Sequence, residues 1–172
     1  MQYLNRLLNF PLISRVRRNH ALEHATLQIL ARKHPGLSAA GYSDTNGFIV
    51  VGSVTSDQLH GAVTEAIERL LKGEASLAIH PNCGTNFAAT GVVAGFLAWL
   101  AMLGAGGGIS KKLERLPTVM LLTILGMIFA QPLGPRLQAA FTTDADIGEL
   151  EVTEIARLER PGVPVHRVRT IH

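Results

Sequence analysis

The chain has 172 residues, of which 47% are hydrophobic and only 17% are charged. Soluble domains of this size usually carry charge on about a quarter of their residues, so this composition argues against an ordinary soluble domain. The net charge of +3 suits an anionic lipid surface. Aromatic residues make up only 5% of the chain and form no stripe interleaved with basic residues, so we expect no nucleic-acid partner. The single cysteine, Cys83, excludes an intrachain disulfide framework.

The N-terminal part of the chain predicts a helix preceded by an interfacial segment. From Met1 to Val16 polar residues interrupt an apolar run, which favours an amphipathic segment at a membrane surface over a cleavable signal. From Ser14 to about His34 the pattern is helical and ends at a Pro-Gly pair. The basic residues Arg15, Arg17 and Arg18 lie either near lipid headgroups or in an ordinary solvated patch.

A hairpin and a second helix are predicted next. Asn46-Gly47 precedes a β-branched run, and both residues tolerate positive φ, so Leu37 to Val54 predicts a β-hairpin. Thr55 and Gln58 have the spacing of a capping box. An apolar stripe at helical spacing follows.

The end of this helix and the segment beyond it are also marked in the sequence. Gly73 fits the left-handed position that ends a helix. We expect a short strand from Ala75 to Ile79. His60, near the start of the helix, lies off the apolar stripe and is predicted to face solvent.

Two apolar runs predict a membrane anchor. The stretch from Phe87 to about Gly106 carries no charge and has about the 20 residues needed to cross a bilayer core. A shorter run extends from Leu116 to about Leu133. The alternative is a buried hairpin in a soluble core. Gly91 and Gly95 are four residues apart, a spacing that lets a second helix approach closely in a homo-oligomer or a membrane complex.

The C-terminal part of the chain predicts two strands. Leu150 to Leu158 and Val163 to Ile171 flank a turn at Arg160-Pro161-Gly162. With two crossings, both polar ends share one side of the membrane, so these strands could join the N-terminal hairpin. The predicted fold is a small α+β domain with a two-helix transmembrane hairpin anchor, divided into an N-terminal domain (1–85), the hairpin (86–135) and a C-terminal β segment (136–172).

The orientation of this anchor has two opposed indicators. The loop residues Lys111, Lys112 and Arg115 favour a cytoplasmic loop by the positive-inside rule. The missing signal makes export of the N-terminal domain awkward. We expect a bacterial inner-membrane protein with its termini in the cytoplasm.

The segment His20-Ala21-Leu22-Glu23-His24 has the form H-x-x-E-H. On a helix, His20 and His24 lie one above the other and could offer ring nitrogens to one metal ion. Glu23 borders the same face and could serve as a general base on metal-bound water, as in the inverted zinc peptidases, or as a further ligand. Alternatively, the histidines only form hydrogen bonds and Glu23 pairs with an arginine such as Arg17.

A second cluster of candidate ligands precedes the first apolar run, in His80-Pro81-Asn82-Cys83-Gly84-Thr85-Asn86. Cys83 lies near a predicted helix N-terminus, where amide donors and the helix dipole stabilise a thiolate. His20, His24, His80 and Cys83 would form a four-ligand zinc or copper site, with Glu23 supporting the ligands. Alternatively, Cys83 is a small buried apolar side chain. A nucleophilic pair of Cys83 and His80 lacks an evident orienting acid.

These two motifs, Arg18 to Thr26 and His80 to Asn86, together with the apolar hairpin, resemble an uncharacterised family of small two-span membrane proteins from cyanobacteria and green non-sulfur bacteria. The resemblance covers most of the chain and implies no particular activity. The likeness to the inverted zinc peptidases is confined to His20 to His24.

Three classes of function follow from these patterns. In the first class, the chain is expected to be a membrane-anchored metal-binding protein with zinc as its ion, acting as a hydrolase or peptidase at the membrane surface. Alternatively, it is a non-catalytic module that handles or senses a metal, or a structural subunit of a membrane complex.

Overall fold

The computed structural model of the protein describes residues 2–159 and 161–172. The helices are α1 (Gln2–Leu8), α2 (Pro11–Lys33), α3 (Ser56–Leu71), α4 (Gly84–Met102), α5 (Ile109–Glu114), α6 (Leu116–Ala130) and α7 (Leu133–Leu137), with a 3-10 turn at Ala75–Ala78 and a π-helical turn at Gln138–Thr142. The strands are β1 (Ala39–Asp44), β2 (Gly47–Gly52), β3 (Glu151–Leu158) and β4 (Val165–Ile171). The chain divides into two compact units, one comprising Met1–His80 with Ala139–His172 and the other Pro81–Gln138.

The first unit is an α+β domain built on a four-stranded antiparallel sheet with the order β1-β2-β4-β3. Helices α2 and α3 supply the other half of its core, where Leu22 and Leu59 are fully buried together with Phe48 and Val168 from the sheet. Phe48 and Val168 are register partners on β2 and β4, so they point to the same face of the sheet. The α+β class predicted from the sequence is confirmed.

The local signals for the hairpin and for α3 are confirmed. Gly47 adopts φ +129 at the turn between β1 and β2. Thr55 and Gln58 form both hydrogen bonds of a capping box, and α3 begins directly after it. Gly73 has φ +88 beyond the end of α3. His60 is exposed on α3, as expected.

The strand predicted from Ala75 to Ile79 is wrong, because Ala75–Ala78 forms a 3-10 turn. The amides of Leu77 and Ile79 donate to carbonyls three residues earlier, so the segment coils instead of extending. Helix α2 starts at Pro11, three residues before the predicted start, because proline is well suited to the first helical turn. In the predicted turn after β3, Arg160 lies outside the described residues, and Gly162 has φ +98.

The second unit consists of α4, α5, α6 and α7. Helix α4 is 19 residues long and apolar enough to cross a membrane, and only 11% of its most hydrophobic 18-residue window is buried. Helix α6 and the segment Leu133–Thr142 pass the same test only together, with a bend of 47° between them. Pro132 and Pro135 lie at this bend, where proline disrupts helical hydrogen bonding.

The contact between α4 and α6 does not use the two glycines singled out in the sequence. A Cβ added at Gly126 of α6 would lie 3.1 Å from the Cα of Ala94 and 3.0 Å from Cδ1 of Leu97. A Cβ added at Gly91 or Gly95 would meet no atom of the described residues within 4 Å. The small residue that permits close packing inside the hairpin is therefore Gly126, and the Gly91/Gly95 surface faces outward.

A buried histidine on β4 is expected to make the stability of the first unit depend on pH. His166 is 1% exposed, and its Nε2 lies 3.3 Å from the hydroxyl of Ser56. Burial lowers the pKa of His166, and the charge of Arg157 lowers it further. Since the folded pKa lies below the unfolded value, the unfolded chain takes up the proton first as the pH falls.

We therefore expect the free energy of unfolding to be fully retained above about pH 6.5 and to fall below it, by at most about 1.4 kcal/mol per pH unit for this one group. Urea unfolding of detergent-solubilised protein between pH 5 and 8 measures this slope. His166→Gln should reduce the slope, and an unchanged slope in that variant would assign the pH dependence to other groups.

Candidate metal centre

Helix α2 carries polar side chains on two of its faces, and each face holds a different part of the first unit. Asn19, fully buried, donates from Nδ2 to the carbonyl of Asp44 at 2.8 Å and accepts from the hydroxyl of Thr170 at 2.8 Å. One turn later, Glu23 contacts β1. The second face carries His20, His24 and, one further turn on, a glutamine. Positions four apart share a helix face, so these two series remain separate.

His20 and His24 are brought together as the sequence predicts for helical spacing. Their ring centroids are 4.2 Å apart, and each ring offers a nitrogen within 4.8 Å of one on the other. Nδ1 of His20 lies 3.0 Å from the carbonyl oxygen of Thr142, and Nδ1 of His24 lies 2.7 Å from that of Ala78. A carbonyl only accepts hydrogen bonds, so each Nδ1 carries the proton. In the neutral rings this makes Nε2 the nitrogen with a lone pair for a metal.

His80 lies next to this pair in the same unit. Its ring centroid is 5.4 Å from that of His24, with a tilt of 35° between the rings. The preceding segment is fixed to α2, because Nε2 of Gln28 donates to the carbonyls of Leu77 at 2.8 Å and Ile79 at 3.0 Å. Together with the hydrogen bond from His24 to Ala78, these contacts fix the position of the segment that leads to His80. The ring of His24 on α2 thus lies beside the ring of His20 and beside that of His80, which follows the 3-10 turn.

Glu23 is 4% exposed and accepts a hydrogen bond from the hydroxyl of Ser43 on β1. The neighbouring Gly41 leaves room for it, since a Cβ at that position would overlap the Glu23 carboxylate. The carboxylate therefore connects α2 to β1. The sequence predicts that Glu23 is a general base or a further metal ligand. Its contact with β1 also gives Glu23 a structural role in packing α2 on the sheet.

The tip of the β1–β2 hairpin is held by an ion pair next to this connection. Arg167 on β4 donates from Nη1 and Nη2 to the two carboxylate oxygens of Asp44, each at 2.7 Å. These hydrogen bonds lower the pKa of Asp44, against the opposing effect of its partial burial. Bidentate pairs of this kind are among the stronger charged contacts, so β1 has a defined position beside Glu23.

The second ligand-rich segment continues into the second unit. Cys83 is 7% exposed and is the N-cap residue of α4, with its sulfur 3.5 Å from the hydroxyl of Thr85. Within this unit, Nδ2 of Asn86 donates to the carbonyl of Pro81 at 2.5 Å, and Nε2 of Gln138 donates to Oδ1 of Asn86 at 2.6 Å. The side-chain amide of Asn86 thus helps to fix the start of α4.

Sequence reasoning missed Gln28 and the two carbonyls that orient the histidines. Gln28 could have been found, because it continues the His20–His24 series at the same four-residue interval. The carbonyls of Ala78 and Thr142 carry no signal in the sequence, since every residue has one.

Comparison with known proteins confirms one part of the resemblance noted in the sequence, an uncharacterised family with a cyanobacterial member. A family model described as "Domain of unknown function (DUF6391)" matches residues 15–155. The chain is 32% identical over 169 residues to an uncharacterized protein from Picosynechococcus sp., a match that covers 90% of this chain and 78% of the relative. No solved structure matches the chain. The family match includes all the histidines of the cluster and both helices of the apolar hairpin, and the chain therefore belongs to the DUF6391 family.

Proposed function

We propose that this protein is a membrane-anchored zinc-binding protein whose metal is held by His20, His24 and His80. The observation that carries the proposal is the pair of hydrogen bonds from Nδ1 of His20 and His24 to backbone carbonyls. Histidines that bind metals almost always donate their other ring nitrogen in this way, which fixes the tautomer and the ring orientation.

The donor set favours zinc over the hard cations. Three imidazoles suit zinc, copper or iron, whereas magnesium and calcium take oxygen ligands. Cys83 is the proposed fourth ligand, because it follows His80 by three residues and the chain itself keeps their Cα atoms within roughly 11 Å. A thiolate at the start of α4 would complete a tetrahedral, closed site. With the three histidines alone, the fourth position would hold water.

Membrane anchoring is supported by the apolar side chains that the second unit exposes. Phe87, Val92 and Trp99 on α4 are 70%, 72% and 57% exposed, and Met120 and Phe129 on α6 are 63% and 69% exposed. Monomeric soluble proteins rarely expose so much contiguous apolar surface. We propose that α4 and the bent segment from α6 onward both cross the bacterial inner membrane, with the polar ends of the chain in the cytoplasm.

Zinc affinity of the detergent-solubilised protein, measured against a competing chelator, tests the proposal. His80→Gln should weaken zinc binding by at least tenfold. His60→Gln should leave it unchanged, because His60 is exposed on α3. Substitution with cobalt then tests the fourth ligand, since a thiolate ligand gives a sulfur-to-cobalt charge-transfer band that Cys83→Ser should remove. Equal zinc affinities in the wild type and His80→Gln would contradict the three-histidine site.

The H-x-x-E-H order of His20, Glu23 and His24 makes a zinc-dependent hydrolase the second candidate, with Glu23 as its proposed base. A base beside zinc-bound water would promote hydrolysis. On this account Glu23→Gln abolishes hydrolysis of 4-nitrophenyl acetate while zinc stays bound. On the non-catalytic account, the wild type is no faster than His20→Ala/His24→Ala. The ester assay on these three proteins separates the two candidates.

Gln28 is expected to strengthen zinc binding by positioning His80. Gln28→Ala removes two hydrogen bonds that hold the segment before His80. We expect zinc affinity to fall by about 10- to 100-fold, the usual effect of losing a group that orients a ligand. Helical content, measured by circular dichroism, should stay at the wild-type level. Thr64→Ala is the control, because the Thr64 hydroxyl donates within α3, to the carbonyl of His60. Unaltered zinc affinity in Gln28→Ala would show that the histidines need no such support.

A further inference from the structure

A group of basic side chains, separate from the histidines of the proposed zinc site, gathers at the start of α2. We define the basic site as Arg15, Arg18 and His172. The fold brings these distant residues together through the hydrogen bond between Asn19 of α2 and Thr170 of β4, 2.8 Å long. His172 directly follows the end of β4 and is two residues beyond Thr170. Arg18 precedes Asn19, and Arg15 lies one helical turn before it.

The three early arginines have different surroundings. Arg17 donates from Nη2 to the carbonyl of Thr143 at 3.0 Å and lies 3.6 Å from the carboxylate of Asp144, so it has a structural role. The guanidinium of Arg18 rests on Gly148, where an added Cβ would lie 3.1 Å from its Nη1. Within residues 2–159 and 161–172, Arg15 and Arg18 form no ion pair with a carboxylate. The structure therefore separates Arg15 and Arg18 from Arg17.

The basic site holds polar atoms for which the described part of the chain supplies no hydrogen-bond partner. Nδ1 and Nε2 of His172 and Nε of Arg18 are all buried and unpaired among the described residues. Burial lowers the pKa of His172, and the charges of Arg18 and then Arg15 lower it further, so these groups act on one another. The two guanidinium charges beside this ring are unfavourable for one another, and an anion with several acceptor oxygens offsets that cost.

We propose that Arg15, Arg18 and His172 bind the phosphate group of an anionic phospholipid. Guanidinium groups match phosphate oxygens with paired N–H donors, which favours a phosphate over a monatomic anion. The segment that leads into the basic site indicates the lipid as the source of the phosphate. Its apolar side chains are largely exposed, namely Tyr3 at 87%, Leu7 at 60%, Phe10 at 55% and Leu12 at 52%.

Apolar side chains that precede a basic group are typical of a segment lying in the headgroup region of a membrane. Insertion of these side chains would place the basic site at the depth of the lipid phosphates. The basic site shares no residue with the proposed zinc site of His20, His24 and His80. The proposal of a basic site therefore does not depend on metal binding. Only the source of its phosphate rests on the proposed membrane association.

Titration of the full chain in dodecyl maltoside with short-chain lipids tests this site. Dihexanoyl phosphatidylglycerol, dihexanoyl phosphatidylcholine and inorganic phosphate are added separately below micelle-forming concentrations, and binding is followed by the ring signals of His172 in NMR spectra and by calorimetry. Arg15→Gln/Arg18→Gln should weaken phosphatidylglycerol binding by about 30-fold, from about 1 kcal/mol for each basic residue. The control Lys72→Gln/Arg157→Gln removes the same charge from exposed positions and should bind as the wild type does.

Preferential binding of phosphatidylglycerol that is lost only in the Arg15/Arg18 variant supports the proposal. His172→Gln provides a second test if the double variant fails to fold, and it should weaken binding in the same direction. Equal losses in the control variant would overturn the site, because they would indicate a general charge effect. Inorganic phosphate bound as tightly as phosphatidylglycerol would overturn the lipid assignment and identify a site for soluble phosphate.

Discussion

In the metal-free protein, His24→Ala is expected to lower the free energy of unfolding by about 1–3 kcal/mol, the cost of leaving a buried polar group without its partner. The ring of His24 is 2% exposed and donates to the carbonyl of Ala78 at 2.7 Å. Removing the ring takes this hydrogen bond away from the buried carbonyl of Ala78 and leaves a cavity between α2 and the 3-10 turn. Chemical denaturation in the presence of a chelator measures how much His24 contributes to the free energy of unfolding when no metal is bound.

Zinc should increase the difference in free energy of unfolding between the wild type and His24→Ala. A ligand that binds only the folded state adds about 2.7 kcal/mol at a concentration 100 times its dissociation constant, and His24→Ala should not receive this gain. His60→Ala is the matched control and should lie within about 0.5 kcal/mol of the wild type, because exposed substitutions usually do. A constant difference between wild type and His24→Ala with and without zinc would mean that His24 is only a structural residue.

Gly126→Leu is expected to destabilise the hairpin of α4 and α6 by about 1–3 kcal/mol, the usual cost of overfilling a packed contact. Any side chain at this position meets backbone, since the added Cβ would lie 3.1 Å from the Cα and 3.4 Å from the amide nitrogen of Ala94. The two helices would have to separate. Unfolding by increasing fractions of dodecyl sulfate in mixed micelles reports this loss.

Gly95→Leu is the matched control, because a Cβ there meets no atom of the described residues within 4 Å. The isolated chain should therefore tolerate it. If a second copy or another membrane protein packs on the Gly91/Gly95 surface, the same change should weaken that association, which cross-linking in native membranes detects. An equal loss of hairpin stability in Gly95→Leu and Gly126→Leu would contradict the packing described for α4 and α6.

The elements that could be predicted from the sequence are those specified by local chemistry. Asn46-Gly47 requires a tight turn, and Thr55 with Gln58 satisfies the amides that start α3. The helical spacing of His20 and His24 likewise determines that their rings meet. In each case the interacting groups are close in the chain, so the pattern is sufficient.

The remaining features depend on contacts between distant segments. The 3-10 turn at Ala75–Ala78 is held by side chains of α2, including Gln28, and an apolar run of this length looks the same as a strand. Arg15, Arg17 and Arg18 look equivalent in the sequence. They differ in the fold only because Asp144 and His172 come from segments more than a hundred residues away.

Elemental analysis of the protein purified in detergent without chelators tests the central claim most directly. Wild type and His20→Ala/His24→Ala are compared after the same preparation, with protein concentration determined by amino-acid analysis. We predict about one equivalent of zinc in the wild type, as expected for one four-coordinate site, and a loss of that zinc in the double variant. A wild type that contains no transition metal, or a double variant that keeps it, would contradict the metal centre.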